Sequence, residues 1–308
     1  MPISHLGQFL QSGEFVVTVE VGPPRGADHL PLILKTRIVK DFCDAVNIPD
    51  NPRRIPRMSS IAGARVALDT GVEPILQMAM RDRNRVAFMS DLYGAYVLGI
   101  RNVLFVTGDL PGLGSDTQAK VVSDIDSIQA LRLATRMMAG KDHSDEEIEG
   151  VPDFFLGATF DPFVESVEHQ IQRTKLKHES GAQFFQTQAV FNVNRFGEFV
   201  ESLADLNAYI LAGVVPLRGL EMAEFMTEHV AGITIPDVIL QRLDNAAEGL
   251  DDEEKEKAVQ QEGLSIAAET INSLKKIDGV DGVHIMAVGW ESCVPELVNL
   301  AGLYPRPG

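Results

Sequence analysis

Eight short apolar runs, rich in β-branched and aromatic residues, recur along this chain of 308 residues. They are FVVTVEV (15–21), CDAVNIP (43–49), EPILQMAM (73–80), NVLFVTG (102–108), DFFLGAT (153–159), QFFQTQAV (183–190), YILAGVV (209–215) and GVHIMAV (282–288). Each has strand length, and helix-period segments separate them. This alternation predicts an α/β fold with a parallel sheet covered by helices. Eight such units in about 300 residues fit a closed (β/α)8 TIM barrel. No linker interrupts the period, so residues 1–308 read as one barrel domain. Barrels of this kind place chemistry at the C-terminal ends of their strands. Glu20, Asn47, Gln77, Arg81, Asp109, Gln188 and Arg218 are candidates by that position alone.

The connecting segments carry recognisable boundaries. Residues 1–14 read as a short amphipathic helix that plugs the bottom of the barrel. Helix 2 (about 59–70) starts at a serine cap and stops at Gly71. Further helices are predicted over about 30–41, 84–98, 126–140, 164–180, 194–205 and 219–229. Two more, at 236–245 and 251–277, make the last crossover longer than a minimal unit. The proline-rich stretch 48–60 cannot be regular structure. It and the glycine-punctuated segment after strand 4 are long loops, the kind that often carry function.

Composition narrows the function classes. A net charge of −17 argues against nucleic acid as a partner. No apolar stretch approaches the roughly 18 residues of a membrane span, and the N-terminus lacks the features of a secretory signal. The two cysteines, Cys43 and Cys293, are too few for an iron–sulfur cluster or a four-cysteine zinc site and suit a reducing cytoplasm. No metal-binding constellation is visible. The acidic segments 141–150 and 248–257 read as solvated surface. Arg25, Arg53, Arg54, Arg57, Arg81, Arg83, Arg85 and Arg218 all follow strands. A cationic mouth of this kind would focus a phosphate- or carboxylate-bearing ligand, although some of these arginines are expected to pair locally, for example with Asp82.

Glu20 is the sharpest chemical candidate. Alternation along strand 1 puts Val16, Thr18 and Glu20 on one face and Val17, Val19 and Val21 on the other. A carboxylate at the end of a buried apolar strand is costly unless it is paired or used. Burial would raise its pKa, as a general acid at neutral pH requires; an ion pair with Arg25 is the structural alternative. Asp109, just past strand 4, could balance a positive charge, and Gly108 before it would admit a ligand close to the backbone. Gln186 and Gln188 share a face of strand 6 and could read a heterocycle's edge. His284 reads as a satisfied core histidine.

Taken together, VEVGPP (19–24), G-D-L-P (108–111) and Gly181–Ala182 with Thr187–Gln188 resemble the methylenetetrahydrofolate reductase family in its short, catalytic-domain form. The resemblance covers nearly the whole chain. RMSS, MRDRNR, ILAGVVPL and GVHIMAVGWES are most similar to the branch found in acetogens. The resemblance implies a flavoprotein barrel, with FAD or FMN, that reduces 5,10-methylenetetrahydrofolate to 5-methyltetrahydrofolate in one-carbon metabolism. It implies Glu20 as general acid toward N10 and Asp109 as the group that stabilises the iminium cation and contacts folate or flavin. Gln188 would hold folate. Asn47, Gln77, Gly108 and Lys177 would contact the cofactor. Leu220 stands where typical members carry an aromatic residue that holds folate and nicotinamide, and Trp290 stands where an arginine is usual. Electrons would then come from NAD(P)H or through a metal-containing partner subunit, and a homo-oligomer is the other association expected. The alternatives are a flavin-free reductase using a nicotinamide directly, and a non-catalytic folate-binding subunit.

Overall fold

The computed structural model describes residues 4–108, 118–122, 124–230 and 232–306. Eight parallel strands close on themselves in sequence order: β1 (Val16–Glu20), β2 (Ala45–Ile48), β3 (Pro74–Ala79), β4 (Asn102–Val106), β5 (Phe155–Phe160), β6 (Phe184–Ala189), β7 (Tyr209–Val214) and β8 (Gly282–Ile285). β8 returns to β1 with Val19 opposite Ile285, so the predicted (β/α)8 barrel is the fold observed. β8 is shorter than its apolar run. The chain leaves the sheet after Ile285, and Val288 and Gly289 turn it with φ of 50° and 84°.

All but the last of the described helices lie where the apolar period and the caps place them; the one after β8 is not among those expected. They are α1 (His5–Gln11), α2 (Leu30–Val39), α3 (Ser60–Thr70), α4 (Arg85–Val97), α5 (Ser127–Met138), α6 (Val167–Glu179), α7 (Val193–Glu201), α8 (Leu220–His229), α9 (Asp237–Ala247), α10 (Asp252–Leu274) and α11 (Val294–Leu300). Ser59 caps α3 by accepting from Ala62 N, and Gly71 ends it in the left-handed region. Asp126 and Gln129 form a capping box on α5. The proline-rich loop contains only a short 3-10 turn at Pro52–Arg54. None of the described helices is long and apolar enough to cross a membrane.

Strand alternation divides the core. Val17, Val19, Val46, Ile48, Leu76 and Met78 point outward into the layer packed against helices. Val16, Ala45, Ile75, Leu104, Phe155, Phe184 and Leu211 fill the lower barrel interior, closed from below by Leu6 and Leu10 of α1. The N-terminal helix is thus the expected plug. Glu73 fixes it by accepting from His5 N and Leu6 N at 3.0 and 2.8 Å. Above this apolar plug the interior turns polar, and that change positions the site.

Gly157 lets the lower layer close. The Phe184 ring, stacked on Phe155 at 5.0 Å, occupies the place where a Cβ at residue 157 would sit, 2.3 Å from its nearest carbon. Overpacking a core of this kind costs about 1–3 kcal/mol. Gly157→Ala is therefore expected to lower Tm by several degrees in a thermal melt; an unchanged Tm would show that Phe184 has room to move.

Candidate active site

A cavity of about 480 Å³ opens at the C-terminal ends of the strands, within the range of small-molecule sites. Its wall includes Glu20, Gln77, Arg81, Lys177, Gln188 and His284. Among the expected positions, Gly108 also lines it, whereas Asn47 and Leu220 do not.

The floor is a hydrogen-bonded layer across the barrel. Asn47 and Gln186 exchange both amide bonds, one of them 3.0 Å long. Gln186 also donates to Thr18 Oγ1 at 3.3 Å, and Thr18 Oγ1 meets His284 Nδ1 at 3.0 Å. Burial pulls the His284 imidazole down to about 3, so it is neutral at physiological pH. His284 is the satisfied core histidine expected, and it also forms part of the cavity floor. Asn47 is fully buried and its amide is committed to Gln186 beneath the cavity. That commitment departs from its expected place against a flavin.

Glu20 stands above this floor at the top of β1. No described residue forms an ion pair or hydrogen bond with it, and Arg25, the expected structural partner, is exposed. Burial, reinforced by the negative charge of Glu291 and opposed by Arg57, pushes its carboxyl up to about 7. Glu20 is therefore a partly buried acid facing a cavity, with its proton available near neutral pH.

The β6 wall is shaped by an irregularity in its register with β7 between Gln186 and Ala189. Strict alternation would send Thr187 outward. Instead Gln186, Thr187 and Gln188 all line the cavity, and Thr187 Oγ1 accepts from Gly213 N at 2.9 Å. Bulges beside active sites commonly re-aim side chains in this way.

On the opposite wall, Gly108 has φ of 97°, and the Arg81 side chain packs where its Cβ would be, 2.8 Å away. A side chain there is excluded by backbone conformation and by space. Lys177 reaches in from α6, donating to Thr159 O at 2.6 Å. Burial, and then Arg173, pulls its ammonium down to about 8. Gln77 lies on this side too. Asp109 lies outside the described residues.

The arginine-rich mouth is mostly spoken for by internal contacts. Arg83 bridges Asp50 and Asp91. Arg85 pairs with Asp124, and Arg57 donates to Pro23 O at 2.7 Å. Arg53 lies over Phe225 and Arg218 over Trp290. Of the eight arginines only Arg81 lines the cavity, where Lys177 is a second cation. Arg81 also bonds Asp82 and Asn51 O. Leu220 opens α8 and packs in a second apolar cluster with Leu217 and Ala223.

Sequence reasoning missed Asp50 and Asp161, which line the cavity directly after β2 and β5. The strand-end rule that singled out Glu20 would have found both. It also missed Glu291, buried in a turn after β8; no local pattern marks it. The described residues contain no cluster of side chains able to hold a metal ion.

A family model described as methylenetetrahydrofolate reductase matches residues 5–302. The chain is 24% identical over 262 residues to a probable methylenetetrahydrofolate reductase (NADPH) of Caenorhabditis elegans, covering 84% of this chain and 37% of that protein. It is 22% identical over 242 residues to methylenetetrahydrofolate reductase 1 of Schizosaccharomyces pombe, covering 77% and 37%. The chain thus spans little more than a third of the length of these curated relatives. Among solved structures, a Clostridium thermocellum protein that binds two copies of 5-methyl-5,6,7,8-tetrahydrofolic acid superposes with a TM-score of 0.63 at 16% identity, covering 96% of this chain and 97% of that one. A 2,3-dimethylmalate lyase superposes with a TM-score of 0.50 at 9% identity, covering 97% and 86%. At these identities the superpositions speak for the barrel fold.

The floor layer makes its own prediction. Asn47→Ala strips Gln186 of both bonds to Asn47 and leaves its buried amide oxygen unmatched, which costs about 1–3 kcal/mol. The denaturant midpoint should fall accordingly. A variant as stable as the parent would return Asn47 to the list of residues kept for a ligand.

Proposed function

Since the chain belongs to the methylenetetrahydrofolate reductase family, we propose that it reduces 5,10-methylenetetrahydrofolate to 5-methyltetrahydrofolate in its barrel cavity. The observation that carries this reading is Glu20, a partly buried, unpaired carboxyl held near neutral pKa at the cavity wall. The reaction needs a proton at N10. As the bond between N10 and the bridging carbon breaks, N10 takes the proton from Glu20 and the carbon remains on N5 as an iminium cation. Two electrons arriving as hydride then complete the methyl group. Glu20 is suited to this step because burial keeps its acid form populated where an ordinary glutamate would be ionised. Gln188, on the re-aimed β6 wall, is positioned to hydrogen-bond the folate ring. Asp109, in the family's G-D-L-P segment, is assigned the opposing charge for the iminium.

The residues on the far side of the same cavity support a bound flavin there. Gly108 offers a backbone surface that a Cβ would obstruct, Gln77 presents an amide, and Lys177 supplies a buried cation for the phosphate region. A bound reduced flavin would supply the hydride. FAD and FMN share the groups that these residues would contact. The neutral His284 and the Asn47–Gln186 pair would form the floor beneath both ligands.

We assign the electron supply to a partner subunit rather than to direct nicotinamide binding. Leu220 packs into its own apolar cluster and does not line the cavity, and Trp290 is taken up by Arg218. The outer face of α2 exposes Leu30, Leu34 and Ile38 at helical spacing, an apolar stripe of the kind that marks interaction surfaces.

Glu20→Gln should lower folate turnover by about 10²- to 10⁴-fold while leaving cofactor content unchanged. Steady-state turnover within about threefold of the parent would remove Glu20 from the mechanism. In the parent protein the acid form is the active one. The folate half-reaction should therefore slow as pH rises through about 7; a rate flat from pH 6 to 8 would contradict a proton donor with this pKa. Purified alone, the chain should turn over folate with reduced viologen and respond poorly to NADH. NADH-driven turnover at the viologen rate would show that no partner is needed.

A further inference from the structure

The slip in register between β6 and β7 falls on Gln188, and a single hydroxyl bridges it. The two strands pair regularly from Phe184–Tyr209 to Gln186–Leu211, with Tyr209 N bonded to Gln183 O at 3.0 Å. Continued one step further, that pattern would set Gln188 opposite Gly213 and send Ala189 N to Gly213 O. Instead Ala189 stands opposite Gly213. β6 has advanced three residues while β7 has advanced two, so β6 carries one extra residue. Val190 N now takes Gly213 O, at 2.8 Å, and in the shifted register Gln188 O and Gly213 N face each other.

Thr187 ties these two groups together. Its Oγ1 accepts from Gly213 N at 2.9 Å and donates to Gln188 O at 2.8 Å. A hydroxyl can do both at once because it is donor and acceptor. Ala189 N, released from Gly213 O by the slip, donates to the side-chain oxygen of Gln188 at 3.1 Å. Gly213 admits this close approach. A Cβ there would lie 2.5 Å from Thr187 O and 2.7 Å from Gln188 O. Gln188 is thus held at two points. The hydroxyl of the residue before it holds its carbonyl, and the backbone N–H of the residue after it holds its amide. Both holds belong to the slipped register. A long side chain fixed in this way before a ligand arrives has less freedom to lose on binding.

We infer that Thr187 is a positioning residue, whose hydroxyl locks the β6 bulge and thereby sets the direction in which Gln188 meets a ligand in the cavity. That the ligand is folate rests on the function proposed above; the lock does not. Serine can form the same bridge, whereas valine, close to threonine in shape, has no hydroxyl with which to form it.

A double-mutant cycle between residues 187 and 188 tests the inference, read as the Kd of 5-methyltetrahydrofolate by isothermal titration calorimetry on the full chain. Thr187→Val should weaken binding about tenfold, and Thr187→Ser should keep it within about threefold of the parent. In a Gln188→Ala background, Thr187→Val should weaken binding by less than about twofold more, because the residue it acts through is gone. Parent-like affinity in a folded Thr187→Val protein, or an equal loss in both backgrounds, overturns the inference. If the valine variant does not fold, Thr187→Cys takes its place with the same expected outcomes, since a thiol is a weak donor and acceptor. A crystal structure of the residue 187 variant keeps this result separate from the proposed function. If Gln188→Ala leaves folate affinity unchanged, Gln188 is not the folate contact, and the crystal structure alone decides. Gln188 turned away from Ala189 N upholds the inference; Gln188 unmoved overturns it.

Discussion

The interior of a closed eight-stranded barrel must be filled, and how this one is filled decides what it can do. The lower half is packed with Val16, Ile75, Leu104, Phe155, Phe184 and Leu211 and sealed by α1. The next level is polar, and each of its side chains spends its hydrogen-bonding groups on another: Asn47 on Gln186, Gln186 on Thr18, Thr18 on His284. A hydrogen-bonded network of this kind is rigid, and it gives the cavity above it a fixed floor. Glu20 is the first inward group on β1 above that level, and it has no partner among the described residues. Its proton affinity follows from this stacking, since burial without pairing favours the neutral acid.

The electrostatics of the mouth follow the same logic of what is paired and what is left. Most of the arginines after β2 and β3 are held by aspartates or backbone carbonyls, so they shape loops. Arg54, buried, donates to Ala119 O across to the segment after β4. The charges that reach the cavity are fewer and more varied: Glu20, Asp50, Arg81, Asp161 and Lys177. An acid on one side and a buried ammonium on the other suit a substrate that takes up a proton and a cofactor that carries phosphate.

Much of this was legible in the sequence because period and punctuation report backbone geometry directly. Eight strand-length runs, Ser59 with Gly71, and the alternation in VVTVE fixed the barrel, the bounds of α3 and the inward face of Glu20. What stayed hidden depended on contacts between distant segments. Thr187 joins the cavity wall because β6 slips its register against β7, and alternation alone cannot see that slip. Asn47 looks like a strand-end ligand until Gln186, 139 positions away, claims its amide. The arginine mouth reads as free charge until Asp50, Asp91 and Asp124 fold in beside it. Glu291 has no signature at all, because its partner is Lys35, 256 positions away, rather than a neighbour along the chain.

The central claim is that folate reacts inside this barrel with its N10 at Glu20. A crystal structure of the protein with 5-methyltetrahydrofolate tests it most directly. The account predicts the pterin in the cavity, Gln188 bonded to its ring, and N10 within hydrogen-bond reach of the Glu20 carboxyl, about 2.6–3.2 Å or one water away. Folate bound outside the cavity, or inside it with N10 turned away from Glu20, would contradict it.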